Sequence, residues 1–204
     1  MAIRVHAEQQ WQRLTALTSL TTGRGMLTAL SVAREREQGT FDQLLVTPFR
    51  PFEIMIGKAI PNLVIGLAQS TTILLIAQFW FRIPFVGSFV VLYVGLTLFL
   101  MAAVGLGLLV SSIAMTMQQA MLYAFLLILP FALLSGLTTP VSSMPAILQS
   151  AMIINPLRYS LDLTKRVYLD GAGFVNLVSD LIPLLIIGLV TLSGAAWLFR
   201  RRLT

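Results

Sequence analysis

The chain of 204 residues is 57% hydrophobic and 11% charged, with a mean hydropathy of +0.86, which excludes a water-soluble globular domain. Its 14 Lys+Arg against 8 Asp+Glu leave a net charge of +6, but so apolar and charge-poor a chain suits membrane flanks rather than a phosphate-binding surface, so nucleic acid is not an expected partner. Cysteine is absent, which removes disulfides, thiolate metal sites and cysteine nucleophiles, and the one histidine, His6, has no carboxylate cluster beside it.

Residues 1–25 form a polar stretch carrying Arg4, Glu8, Arg13 and Arg24 without an apolar core, so no cleavable signal peptide is predicted. Residues 26–58 start with a short apolar run from Met26 to Ala33 and turn polar in the alternating charges Arg34, Glu35, Arg36 and Glu37. Phe41, Leu44 and Leu45 then recur at helical spacing, which predicts a short amphipathic helix capped by Thr40 and ended by Pro48. Two uses fit such a helix: lying on the inner leaflet, or docking a soluble partner with Phe41 and Leu45 in its groove. Glu35, Glu37, Asp42 and Glu53 nearly balance the nearby bases, unlike the strongly cationic face that anionic lipid favours.

Residues 59–204 read as a transmembrane domain. A helix needs about 20 apolar residues to cross about 30 Å of hydrocarbon, and four windows qualify, at about 59–81, 89–110, 119–137 and 178–199. Uncharged polar residues on the first, Asn62, Gln69, Thr72 and Gln78, with Thr71 beside them and Gln118 and Gln119 at the base of the third, are candidates for a substrate path. Hydrogen bonding between helices explains them equally well. Ala103 and Gly107 make a small-residue pair that predicts close helix packing, and Pro130 predicts a kink in the third span. The fourth carries Asp180 near its start.

The external segment, 138–177, holds Pro140, Pro145 and Pro156 and an apolar stretch at 146–154 too short to cross, so short helices at the outer face or a partial dip back into the protein are expected. Asn155-Pro156-Leu157-Arg158-Tyr159 reads as a turn leading into an amphipathic helix with Arg158, Asp162, Lys165 and Arg166. Asn155, Pro156, Arg158 and Tyr159 are the candidate external gate, with a structural cap as the plainer role. Asp162 and Arg166, four apart, predict an ion pair of about 0.2–0.5 kcal/mol.

The whole is an all-α polytopic membrane protein: about four transmembrane helices, a cytoplasmic amphipathic helix and short external helices. Ten of the fourteen basic residues fall in 1–58 and 200–204, which places both termini in the cytoplasm. No enzyme motif is present. Gly57-Lys58 lacks the rest of a phosphate-cradling loop, and Gly-x-Ser-x-Gly and His-Glu-x-x-His do not occur, so the chain is expected to bind no cofactor of its own. The first three spans carry no charged residue, unlike proton- or sodium-coupled carriers, whose coupling groups sit at midplane.

The run from Ser31 to Thr40, followed by Asp42-Gln43-Leu44-Leu45 and Thr47-Pro48, resembles the cytoplasmic coupling region of the type-2 ATP-binding-cassette export permeases. Leu134-Ser135-Gly136, Pro140, Met144-Pro145 and Ile154 to Tyr159 agree in order and spacing, and the similarity, covering roughly residues 26–204, is greatest to the bacterial drug-export branch. The resemblance implies a permease in the bacterial inner membrane that pairs with a second copy or a paralogue. It implies export of hydrophobic or amphipathic compounds, driven by a separate ATP-binding-cassette ATPase subunit that carries ATP and Mg. Coupling to that subunit falls on Arg34, Glu35, Arg36, Glu37, Phe41, Asp42 and Leu45. Because such permeases start with a first span, an external domain and a second span, the chain matches their C-terminal part. A truncated non-transporting fragment or assembly subunit is the alternative, ahead of an ion-coupled carrier.

Overall fold

A computed structural model describes residues 51–80, 85, 87–135, 145–171 and 173–201, and these are almost wholly helical. In chain order they form α1 (Pro51–Leu75), continued by a π-helical turn (Ile76–Trp80); α2 (Phe89–Ile113); α3 (Met117–Leu133); α4 (Ala146–Ala151), continued by a 3₁₀ turn (Met152–Ile154); α5 (Pro156–Asp170); and α6 (Phe174–Arg201). Three are long and apolar enough to cross a membrane, over Ala59–Trp80, Phe89–Ile113 and Asn176–Leu198. The protein is therefore all-α and polytopic.

Helix α2 is the centre of the bundle: 56% of its most apolar stretch is buried inside the protein, against 17% for α1 and 28% for α6. Leu92, Leu96 and Phe99 of α2 join Leu157, Leu161, Leu163 and Val167 of α5 and Leu177, Leu181 and Leu184 of α6 in one core cluster. A second cluster, Val104, Leu108 and Ala195, with Ala59 and Leu63 packed against it, ties α1, α2 and α6 together at their other end. Between α2 and α6 the backbones come close because Gly105 has no side chain; a Cβ there would overlap Thr191 Oγ1. Outward-facing Val64, Ile65, Val90, Ile186 and Val190 are left exposed, as lipid contact requires.

The third predicted span is shorter than expected. Helix α3 has 17 residues, about 26 Å of rise, a few ångströms less than a typical hydrocarbon core. Its start is set by Thr116, whose side chain accepts from the Gln119 N–H at 3.2 Å, while Gln119 Oε1 accepts from the Met115 N–H at 3.0 Å. That reciprocal cap closes the turn from α2 and gives Gln119 a structural task. The far end stops because Ser135 turns back: its N–H and its hydroxyl both donate to the Ala132 carbonyl, at 3.4 and 2.6 Å.

The segment after α3 forms short helices, and α5 packs across one end of the bundle. Asn155 caps α5, Pro156 occupies its first turn where no N–H partner is needed, and Gly171, with φ 60° and ψ 27°, ends it in the left-handed conformation.

Candidate functional site

Helix α5 touches all four apolar helices at one end of the bundle, and each contact is of a different kind. Toward α3, Asn155 Nδ2 donates to the Phe131 carbonyl at 2.8 Å, while its Oδ1 accepts from the Leu157 N–H at 3.0 Å. The Phe131 carbonyl is free to accept because the residue four positions on, Ser135, donates elsewhere. Toward α1, Tyr168 packs on Ala77 inside the π-helical turn, both essentially buried, with its ring edge-on to Phe85 at 5.0 Å and Phe85 stacked on Phe89 at 4.1 Å. Toward α2, the α5 backbone reaches Gly87, where a Cβ would overlap the Val167 carbonyl, and Leu163 lies over Gly95. Toward α6, Arg166 Nη1 donates to Asp180 Oδ2 at 3.2 Å.

That last contact corrects an expectation. Arg166 forms its ion pair with Asp180, fourteen residues on, and not with Asp162 one turn before it. Asp162 still feels the field of Arg158, Arg166 and Lys165, but burial dominates and raises its carboxyl above the usual range. Burial likewise raises the Tyr168 phenol.

The four residues expected as an external gate converge around the joint between α3 and α5. Asn155 and Pro156 are buried in it. Tyr159 Oη donates to the Ile153 carbonyl at 3.0 Å, and the Arg158 guanidinium lies 5.9 Å from the Tyr159 ring. Arg158 Nε is buried without a hydrogen-bond partner.

The expected path residues of α1 differ in exposure. Asn62 and Gln69, seven apart, are half-buried on one edge of the helix, whereas Thr72 and Gln78 are exposed. The Thr72 hydroxyl donates to the Ala68 carbonyl of its own helix at 2.9 Å. Thr71 makes a hydrogen bond between α1 and α2. Its hydroxyl donates to the Leu67 carbonyl at 2.8 Å and so accepts, at 2.7 Å, from Tyr93 of α2, a residue outside the expected set. The available signal was a phenol in the middle of an otherwise apolar helix, which needs a partner.

Ala103 is half-buried and Gly107 buried on α2. With Phe99 they line an apolar crevice closed on the other side by Ala124, Leu127 and Phe131, with about 40 Å³ of space inside it. Along α3 only Ala120 and Ala124 are buried, both toward its start. The coupling candidates Arg34, Glu35, Arg36, Glu37, Phe41, Asp42 and Leu45 lie outside the described residues. Among the described residues, no group of three His, Asp or Glu side chains could hold a metal ion.

Apolar helices packed around one central helix, three of them long enough to cross a membrane, and bridged at one end by an amphipathic helix, define a polytopic membrane domain. Its family follows from comparison: the chain belongs to the ABC-2 type transporter family, whose model matches residues 4–169. It is 42% identical over 197 residues to the probable multidrug ABC transporter permease YbhR of Escherichia coli (strain K12), covering 96% of this chain and 54% of that protein. It is 34% identical over 192 residues to the probable multidrug ABC transporter permease YbhS of the same strain, covering 92% of this chain and 50% of that one. The inner membrane transport permease YhhJ, also of that strain, is 33% identical over 177 residues, covering 86% and 47%. The chain thus spans about half the length of the curated relatives it matches.

Proposed function

We propose that this chain supplies membrane-spanning helices to an ATP-driven exporter of hydrophobic or amphipathic small molecules in a bacterial inner membrane. The observation that carries this reading is the 42% identity, over nearly the whole chain, to a protein named as a probable multidrug ABC transporter permease. The physical features agree with it. Helices α1, α2 and α3 hold no Asp, Glu, Lys, Arg or His between Ala59 and Trp80, Phe89 and Ile113, or Met117 and Leu133, so an ion has nothing to couple to at their midplane. Their apolar crevice suits a greasy solute better than a hydrophilic one.

Energy then comes from outside the chain. A separate ATP-binding-cassette subunit, holding ATP and Mg, is proposed to grip Arg34 to Thr47 from the cytoplasm, where both termini lie, while Asn155, Pro156, Arg158 and Tyr159 close the outer end. A second copy or a paralogue completes the permease. Charge reversal at Glu35 and Glu37 tests the grip: loss of the ATPase subunit on co-purification, with membrane insertion intact, is expected, and an unchanged yield of complex rejects it.

A further inference from the structure

Helix α3 is held at its two ends, and between them it packs through Ala124 and Leu127 on Val110 beside an apolar crevice. At the Met117 end, the reciprocal cap of Thr116 and Gln119 closes the turn to α2, and Ala114 and Ala120 pack there with no exposed surface. At the Leu133 end, a buried side chain ties α3 to α5. Asn155, 1% exposed, spends its donor on the Phe131 carbonyl of α3 and its acceptor on the first turn of α5. Between the ends runs the crevice, with Ala103 and Gly107 leaving space opposite Ala124 and Leu127. A hydrogen bond between neutral groups exchanges for water with little net change, so it can open at a wetted end of a bundle, though not at hydrocarbon depth.

We propose that Asn155 is a latch. While its Nδ2 holds the Phe131 carbonyl, α3 lies closed along α2. Release lets the Leu133 end swing about the turn at 114–116 and widens the crevice toward the α5 end of the bundle. The inference rests on the transport reading and deepens it, since the widened crevice is where the apolar part of a transported compound leaves.

The chain has no cysteine, so spin labels can be placed in pairs without background substitutions. Labels at Leu133→Cys and Ile153→Cys, both exposed positions, report the latch; labels at Ile113→Cys and Met121→Cys, also exposed, report the hinge. Distances are measured by double electron–electron resonance on the full chain in lipid nanodiscs. Asn155→Ser keeps an oxygen for the Leu157 N–H but has no donor that reaches Phe131. It is expected to raise the ratio of long to short distances at the latch pair roughly fivefold to tenfold, as loss of one hydrogen bond implies, with the hinge pair unchanged. Asn155→Asp, which sets a carboxylate oxygen against the Phe131 carbonyl, shifts the ratio further.

An unchanged latch distribution in either folded variant, or an equal displacement at the hinge pair, overturns the proposal. Should neither variant insert, the parent chain decides: two populated distances at the latch with one at the hinge support it, and a single latch distance refutes it. These readings need neither ATP nor a transported compound, so the latch can fail while ATP-driven export stands, and the reverse.

Discussion

Arg166 of α5 reaches across to Asp180 of α6 at 3.2 Å, fixing the bridging helix to the first turns of the last apolar helix. The two partners differ in surroundings: the Asp180 side chain is 10% exposed and that of Arg166 47%. Removing the cation therefore strands a buried carboxylate, whereas removing the anion leaves a guanidinium that still meets solvent. Arg166→Ala is expected to lower the stability of the detergent-solubilised protein by about 1–3 kcal/mol, and Asp180→Asn by less. Thermal unfolding of both variants checks the order, and equal losses would contradict the assigned pair.

The glycines of α2 and α6 predict a ranking. At Gly105 a Cβ falls 2.9 Å from Thr191 Cβ and 3.1 Å from the Leu192 nitrogen, so backbone has to move. At Gly95 it meets only the tips of Leu163, at 2.6 Å, which can rotate, and at Gly188 the nearest atom is 3.6 Å away, an ordinary contact. Alanine should destabilise strongly at Gly105, by about 1–3 kcal/mol as for other overpacked cores, less at Gly95, and not at Gly188. Yields of folded protein after membrane extraction, followed by thermal unfolding, test that order.

Asp162 predicts a dependence on pH. Burial raises its carboxyl above the ordinary 3.8, outweighing the lowering by Arg158, Arg166 and Lys165. An acid raised in this way holds more protons folded than unfolded. Its ionisation weakens the fold as pH climbs from the ordinary carboxylate value through the raised one, and the loss is complete above it. Asp162→Asn should flatten that limb of a stability-against-pH curve and raise stability at neutral pH. Lower stability of the variant at neutral pH, together with a smaller loss on acidification than the parent shows, would mean that attraction, not burial, dominates.

Tyr93 donates to Thr71, which already has the Leu67 carbonyl as its own acceptor. Tyr93→Phe therefore leaves no unpaired donor behind and should cost only about 0.5–1.5 kcal/mol, without loss of insertion. Thr71→Val strands the phenol and should cost more.

The parts of this fold legible in the sequence are those that depend on run length. Helices α1, α2 and α6 announce themselves as long apolar stretches, with Asp180 as the one charge within them, because the hydrocarbon thickness sets a minimum that local composition alone can meet. The end of α3 was not legible in that way: hydropathy continues past Leu133, and the stop is made by Ser135 returning to Ala132, a matter of three atoms. The same limit applied to the site. Asn155 stood out as a turn residue before proline, but its partner Phe131 lies 24 residues earlier and emerges only in the packed bundle. Spacing rules see the fourth residue along a helix, so they paired Arg166 with Asp162 and missed Asp180 on another helix. Polar residues of α1 were chosen by composition, and only their helical phase separates Asn62 and Gln69 from the exposed Thr72 and Gln78.

The central claim is that these helices carry no motor and respond to one supplied by another protein. Inverted membrane vesicles holding the permease and its ATPase subunit, with a fluorescent amphipathic dye added outside, test this directly. The account predicts that ATP alone drives dye uptake, that this uptake survives an uncoupler that abolishes the proton gradient, and that it stops on ATP depletion. Uptake that follows the proton gradient and ignores ATP would contradict it.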